Sequence, residues 1–322
     1  MMDTSCYEKR REIMNRNLSV LAEMGYHFEQ FGLQHRDLYL KYEAQTELSC
    51  HSLLSYYGYA EEDLIYCWEN PAEQCLYVIF LNFDNMLSTY PPMLCEYTPE
   101  RFAAAVDNCR AMFAKLNQSL RFEYAKEEEV GRFQKLPCEI QVSAPQRELD
   151  YIYAFEDLKE FSGGENVNRR RKHNHFLRHH HTVMECIHEG NAEECEMVLD
   201  QWCSMHSCAE CMHRCPGNVA KRVLRNLDKL NAMGYLIRVN GEAQTVLLLG
   251  HMSPDMLDVL TVCSINRDMG MEETMYAMVA EAVSPPYKYM NLEEDMGIER
   301  LRVHKQMLRP CRMQPKYSIL FS

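Results

Sequence analysis

The densest concentration of basic side chains in the 322-residue sequence lies at residues 169–181. Ten of these thirteen residues are Arg, Lys or His, whereas the whole chain has a formal net charge of −13. Cationic groups gathered in one place are suited to bind phosphate or another anion. The alternative is a solvated helix face that binds no ligand. The fixed positive charges in this stretch are Arg169, Arg170, Arg171, Lys172 and Arg178.

A second cluster of reactive side chains lies between positions 203 and 215. Its spacing is C-x4-C-x2-C-x3-C, formed by Cys203, Cys208, Cys211 and Cys215. Thiolates this close together can hold a structural zinc ion or an iron–sulfur cluster. The spacing lacks the two separated C-x2-C pairs of a zinc ribbon, so a loop of reduced thiols is the alternative.

The composition is that of an ordinary globular protein. Hydrophobic residues make up 47% of the chain and charged residues 25%, and the length allows two domains. The first thirty residues contain no apolar run typical of a signal peptide, and the longest apolar run, 75–83, is too short to span a membrane. We therefore expect a soluble, cytoplasmic protein whose fifteen cysteines are mostly reduced.

Hydrophobic periodicity predicts helices and strands throughout the chain. In residues 99–118, apolar side chains recur at three- and four-residue steps behind a proline, which predicts an amphipathic helix. The apolar run at 75–83 predicts a buried strand, and residues 138–144 predict another.

A polar, proline-containing segment at 143–150 predicts a domain boundary, which separates an N-terminal domain, 1–145, from a C-terminal domain, 146–322. The dipeptide Asn240-Gly241 is a strong signal for a tight hairpin. The elements predicted in the second half are helices at 217–234, 271–283 and 297–308, a hairpin at 235–250, and strands at 255–265, 287–292 and 316–321.

This order of elements resembles the GNAT acyltransferase fold. That fold binds phosphate at an Arg/Gln-x-x-Gly-x-Gly/Ala turn before a helix, and residues 267–272 retain only Arg267 and Gly270 of that pattern. Glu272 and Glu273 would occupy the first turn of the helix, where carboxylates repel a pyrophosphate. An acyl-CoA-dependent N-acyltransferase is therefore the less favoured alternative.

Two separated blocks carry a more specific resemblance. Residues 150–180, DYIYAFEDLKEFSGGENVNRRRKHNHFLRHH, resemble the D-Y-x-Y…D-L…S-G…basic…F block of the family that includes the cytosolic C-terminal domain of phosphatidylglycerol lysyltransferases. Residues 287–310, YKYMNLEEDMGIERLRVHKQMLRP, resemble its second block, N-x-E-x-D-x-G…L-R…K…P. The resemblance implies a mixed α+β fold with two tandem GNAT-like domains. It also implies transfer of an amino acid from an aminoacyl-tRNA to a lipid hydroxyl, without a required cofactor.

The resemblance also implies binding partners. Aminoacyl-tRNA would be the donor, and a lipid headgroup or a small molecule with a hydroxyl or amine would be the acceptor. A lipid acceptor would require peripheral contact with a membrane surface through the basic stretch. The residues that would bind substrate or phosphate are Arg169, Arg170, Asn174 and Asn291.

The second block supplies the candidate catalytic residues. Glu293 and Asp295 would act as a base or orient the amino group. Arg302 and Lys305, three positions apart on one helix, would hold a phosphate or stabilise a developing negative charge. The alternative is that these four residues form salt bridges that fix the last helix to the sheet.

One departure from the family pattern bears on activity. Ser264-Ile265 stands where the family often has a Glu-Lys pair. Loss of that polar pair leaves a second hypothesis open, a non-catalytic binding or regulatory protein on the same fold.

Overall fold

The computed structural model describes residues 4–43, 45–82, 84–144, 149–206 and 215–321. Two mixed β-sheets form the framework, and helices cover both faces of each, so the expected mixed α+β class is confirmed. The helices are α1 (Thr4–Glu23), α2 (Arg36–Tyr42), α3 (Leu53–Tyr59), α4 (Pro99–Lys115), α5 (Glu127–Phe133), α6 (Phe155–Lys159), α7 (Val167–His179), α8 (Ala192–Met205), α9 (Pro216–Leu224), α10 (Leu227–Leu230), α11 (Met271–Val283) and α12 (Glu299–Met307).

The strands are β1 (Glu29–Gln30), β2 (Tyr66–Asn70), β3 (Cys75–Leu81), β4 (Leu87–Thr89), β5 (Met93–Leu94), β6 (Arg121–Ala125), β7 (Ile140–Ser143), β8 (Asp150–Ala154), β9 (Thr182–Cys186), β10 (Met233–Val239), β11 (Glu242–Ser253), β12 (Met256–Ser264), β13 (Tyr289–Asn291), β14 (Arg312–Gln314) and β15 (Tyr317–Phe321). The first sheet has the strand order β1-β2-β3-β4-β6-β15-β7, with β5 paired to β3. The second has the order β14-β8-β13-β12-β11-β10-β9.

Both sheets are buried on two faces, which explains why their central strands are almost continuously apolar. Alternate residues of a strand point to opposite faces. On β3, Tyr77 packs with α1 and α4, whereas Val78 faces the space between the sheets. On β11, Leu248 faces the same central space, whereas Leu249 packs with α6, α7 and α11. The helices α3, α8 and α9 fill the central layer.

The C-terminal segment crosses from the second sheet to the first. β14 pairs with β8 in the second sheet, and β15 then lies between β6 and β7 in the first sheet. The strand predicted at 316–321 is thus present, but it completes the sheet formed by the N-terminal part of the chain.

The single helix predicted at 217–234 is wrong at its C-terminal end. α9 ends at Leu224, a short α10 follows, and β10 already begins at Met233. Asn231 adopts a left-handed conformation with φ 51°, which ends the helical segment as an asparagine C-cap does.

Candidate functional site

A cavity of about 770 Å³ opens between the two sheets. Its walls come from α3, from β12, from the N-terminus of α11 and from the segment that joins β13 to α12. Its central polar groups are Ser55 of α3, Glu293 after β13, and Lys305 of α12. Tyr124 of β6 also lines the cavity, so both sheets contribute to it and both must be folded for it to exist.

The segment after β13 is held in place by a buried lysine. The Nζ atom of Lys305 donates hydrogen bonds to the carbonyl oxygens of Leu292, Glu293 and Glu294 at 2.5, 3.2 and 2.7 Å. The side chain of Asn291 accepts a 2.7 Å hydrogen bond from the Glu293 amide. These hydrogen bonds fix Glu293 in a left-handed conformation with φ 60°. Burial lowers the pKa of Lys305, although Glu293 and Glu294 oppose that effect.

The carboxyl group of Glu293 is aimed at the first half of the protein. Its Oε1 atom lies 3.0 Å from Ser55 Oγ, and Ser55 Oγ lies 3.2 Å from Oδ2 of Asp258 on β12. Asp258 also accepts a hydrogen bond from the Ser52 hydroxyl. Burial, reinforced by Asp258 and Glu294, raises the pKa of Glu293 well above its ordinary value. Burial likewise raises the pKa of Asp258 to about 7.

A second buried network lies beside the first and includes Lys316, which directly precedes β15. Its Nζ atom lies 2.7 Å from Asp150 Oδ1, 2.5 Å from Glu294 Oε2 and 3.1 Å from Ser49 Oγ. Asn291 donates a 2.8 Å hydrogen bond to Asp150. Burial alone would lower the pKa of Lys316, but Asp150 and Glu294 outweigh burial and raise it. Asn291 thus lies at the junction of the two sheets, fully buried.

Asp295 and Arg302 are paired with each other and do not line the cavity. Arg302 reaches Asp295 through Nε at 2.8 Å and Nη2 at 3.2 Å. Tyr151 donates its hydroxyl to the same carboxylate at 2.7 Å, and the Gly297 amide donates at 2.8 Å. Burial would raise the pKa of Asp295, but these hydrogen bonds outweigh it and lower the pKa. The geometry is that of a structural ion pair.

The basic stretch forms α7, which has a buried face and an exposed face. Arg169 is 8% exposed, donates to the Leu308 carbonyl at 3.0 Å and lies over the Phe161 ring. Arg170 is half-buried and donates to the Phe161 carbonyl at 2.5 Å. Asn174 is exposed. The exposed arginines of α7 are Arg171 and Arg178. The sequence alone did not separate these exposed arginines from the buried Arg169.

The N-terminus of α11 lies at the cavity, and its own carboxylates have partners. Glu272 lies 2.6 Å from His304 Nε2, and Glu273 lies 3.0 Å from Lys172 Nζ. Gly270 precedes the helix with φ 97°, and a Cβ atom there would lie 2.2 Å from the Lys172 carbonyl oxygen. The close approach of α7 therefore requires glycine at this position.

Two of the four clustered cysteines, Cys208 and Cys211, lie outside the described residues. The sulfur atoms of Cys203 and Cys215 are 3.9 Å apart. Within the described ranges, no three His, Cys, Asp or Glu side chains are grouped so as to hold a metal ion. The expectation of zinc or an iron–sulfur cluster therefore has no support in this part of the chain.

In the described part of the chain, the helices are too short or too polar to cross a membrane.

Sequence reasoning missed several polar residues of the site, among them Ser55, Asp258 and Lys316. Asp258 and Lys316 could have been noticed, because Asp258 is the single charged residue within an otherwise uncharged strand and Lys316 directly precedes another. Ser55 had no such signal, since its partners are 203 and 238 positions away.

Comparisons with known proteins place the chain in a family. The family model described as phosphatidylglycerol lysyltransferase, C-terminal, matches residues 63–320. A conserved protein of unknown function from Bacteroides thetaiotaomicron VPI-5482 has a similar structure, with TM-score 0.80 and 18% identity over 92% of this chain and 100% of that one. No curated protein matches the chain.

Two solved structures connect the fold to the same family. They are the C-terminal domain of a putative lysylphosphatidylglycerol synthetase from Agrobacterium fabrum and L-PGS from Bacillus licheniformis. Each has TM-score 0.63 and 11% identity, and covers 89% of this chain and 91% of the other. The expected tandem GNAT-like fold is confirmed. Because the family model spans most of the sequence, the chain belongs to the phosphatidylglycerol lysyltransferase C-terminal domain family.

Proposed function

We propose that this protein transfers an aminoacyl group from an aminoacyl-tRNA to the hydroxyl or amine of a lipid or small molecule. The observation that carries the proposal is the position of Glu293. This carboxyl group belongs to the family's second block, and it lies in a cavity of about 770 Å³ where burial raises its pKa. A carboxyl group with a raised pKa can exchange protons near neutral pH.

The reaction would proceed by direct attack on the aminoacyl ester. The acceptor oxygen or nitrogen forms a bond to the ester carbonyl carbon, and the bond from that carbon to the tRNA 3′ oxygen breaks. The acceptor loses a proton and the leaving oxygen gains one, so a group that takes up and returns a proton serves both steps. Glu293 is the candidate for that group. Lys305 would hold Glu293 in position through the three carbonyl oxygens that it binds.

The tRNA donor is supported by the charges around the cavity. Arg267 is exposed and lines the cavity. Arg171 and Arg178 extend the positive charge along the exposed face of α7. In a chain with net charge −13, phosphate binding requires such a local concentration of cations. An aminoacyl-tRNA donor also fits the proposed cytoplasmic location.

Acyl-CoA is disfavoured as the donor by the contacts at α11. Glu272 and Glu273 already occupy the first turn, where a pyrophosphate would otherwise bind the helix N-terminus. Their partners, His304 and Lys172, at most neutralise these carboxylates, so the two pairs present no net positive charge to an anion.

The test is a transfer assay with the purified full chain. The protein is mixed with total tRNA charged with labelled amino acids, together with lipid and small-molecule extracts. Label that moves into the organic phase identifies a lipid acceptor, and label in a new water-soluble product identifies a small-molecule acceptor. If the label leaves tRNA only at the background rate of hydrolysis, or if a parallel reaction shows transfer from labelled acetyl-CoA, the proposal is overturned.

A further inference from the structure

The Ser55 hydroxyl bridges two carboxyl groups that come from different elements. Its oxygen lies 3.2 Å from Asp258 Oδ2 and 3.0 Å from Glu293 Oε1. Asp258 is 0% exposed, so its charge and hydrogen bonds must be balanced by protein groups. Ser55 and Glu293 line the cavity, whereas Asp258 lies on the far side of Ser55.

Hydrogen bonds from Ser55 to both carboxyl groups require two hydrogens, and the hydroxyl supplies only one. A serine hydroxyl has a single hydrogen, and an ionised carboxylate only accepts hydrogen bonds. If Ser55 donates to one carboxylate, the hydrogen bond to the other exists only when that other group is protonated. The Ser52 hydroxyl already donates to Asp258 Oδ2, and Ser52 in turn accepts from the Ser55 amide at 3.0 Å. The neighbouring hydroxyl therefore cannot supply the missing hydrogen.

We propose that Asp258 and Glu293 share one proton, which passes between them through Ser55. In one arrangement Glu293 is protonated and donates to Ser55, which donates to ionised Asp258. In the other, Glu293 gives its proton to the Ser55 oxygen while Ser55 gives its own to Asp258. The pair holds one proton and one negative charge throughout, so no other reactant is needed.

The use of this shared proton rests on the proposed function. With the proton on Asp258, Glu293 is ionised and can accept a proton from the attacking acceptor. Glu293 can then return that proton to the leaving tRNA 3′ oxygen. Ser55 and Asp258 are positioning residues in this scheme, because they act on the reacting atoms through Glu293.

The surrounding charges favour a pair that carries one proton. Asp258 faces Asp150 and Lys316, and Glu293 faces Glu294, Lys305 and Lys316. Two ionised carboxylates joined by one hydroxyl would repel each other in this buried site. Burial raises the pKa of both groups, in agreement with the retention of a proton near neutral pH. Among the described residues, Oδ1 of Asp258 is buried without a hydrogen-bond partner, so ionisation of both carboxyl groups at once is unfavourable.

Infrared spectroscopy of the full chain at pH 7 tests the shared proton directly, through the carbonyl stretch that only a protonated carboxyl group has. Difference spectra are recorded for Glu293→Gln and Asp258→Asn against wild type. Each substitution is expected to remove the same protonated-carboxyl band, because the remaining carboxyl group can then ionise without a second negative charge across Ser55. If the band survives in either variant, the two groups titrate independently and the proposal is wrong.

The bridge is tested with serine variants. Ser55→Ala is expected to shift the protonated-carboxyl band and to slow aminoacyl transfer by about tenfold or more, and Ser55→Thr is expected to restore both. Ser88→Ala, which removes a fully buried hydroxyl on β4 of the first sheet, is the control for general damage. A Ser55→Ala spectrum identical to wild type would exclude the bridge. If wild type transfers no label, the proposed function fails, but the infrared spectra still decide whether the proton is shared.

Discussion

At the scale of single residues, the four candidate catalytic groups of the second block divide into two sets. Glu293 and Lys305 line the cavity, whereas Asp295 and Arg302 are paired behind it. The Asp295 side chain is fully buried, and four hydrogen bonds from three residues compensate its charge. All four residues belong to one sequence motif. Only their three-dimensional contacts distinguish the two that line the cavity from the two that form an ion pair.

Removal of Arg302 should therefore lower stability. Arg302→Ala leaves a buried carboxylate without its cation, so we expect a clear fall in the free energy of unfolding at pH 7. Since the folded pKa of Asp295 is lowered, the pair contributes at neutral pH and its contribution is lost as the pH falls below the carboxyl's ordinary value of about 3.9. Denaturant titration measures the change.

Arg312→Ala is the matched control for this measurement. Arg312 forms a largely exposed pair with Glu47, whose removal should cost less than about 1 kcal/mol. If Arg302→Ala were as stable as Arg312→Ala and yet inactive in transfer, Arg302 would act on substrate and the structural assignment would be wrong.

At the scale of elements, some of the cations of α7 pack against the protein and others are exposed to solvent. Arg169 binds the Leu308 carbonyl at the end of α12, and Lys172 pairs with Glu273 of α11. Arg171 and Arg178 point to solvent. The helix is thus anchored by some of its cations and exposes others to solvent, where the proposed tRNA would bind.

Neutralisation of the exposed cations should weaken tRNA binding without loss of stability. For Arg171→Ala and Arg178→Ala, we expect tRNA binding to depend less steeply on salt. The negative slope of the log binding constant against log salt should become shallower by about one for each phosphate that is no longer bound. Arg169→Ala should lower the melting temperature, because its guanidinium is buried against Phe161. Arg110→Ala, an exposed cation of α4, serves as the control. Tight binding that does not depend on salt would contradict a phosphate-binding role for α7.

Local sequence signals predicted elements well and long-range partners poorly. The Asn240-Gly241 turn forms as expected, with φ values of 53° and 89°, and the periodic apolar residues at 99–118 form α4. The pattern at 316–321 predicted a strand but carried no information about which sheet it would join. The hydrogen bond between Ser55 and Asp258 was equally unpredictable, because no periodicity connects residues 203 positions apart.

At the scale of the whole molecule, the cavity depends on the union of the two sheets. Lys316 connects β15 of the first sheet to Asp150 of the second through a fully buried ion pair. Ser55 comes from a helix between the sheets, and it meets Asp258 on β12 and Glu293 after β13. Because the candidate site draws on groups from both halves, neither half alone contains it.

The most direct test of this account is the rate of aminoacyl transfer by wild type and by Glu293→Gln, measured at equal concentrations of folded protein. Glutamine keeps the size of the side chain and can still hydrogen-bond Ser55, but it cannot take up a proton. The account predicts a transfer rate at least about a hundredfold lower for the variant, the usual effect of losing an acid–base group. A Glu293→Gln protein that transfers label as fast as wild type would contradict the assignment of Glu293 as the proton-transfer group.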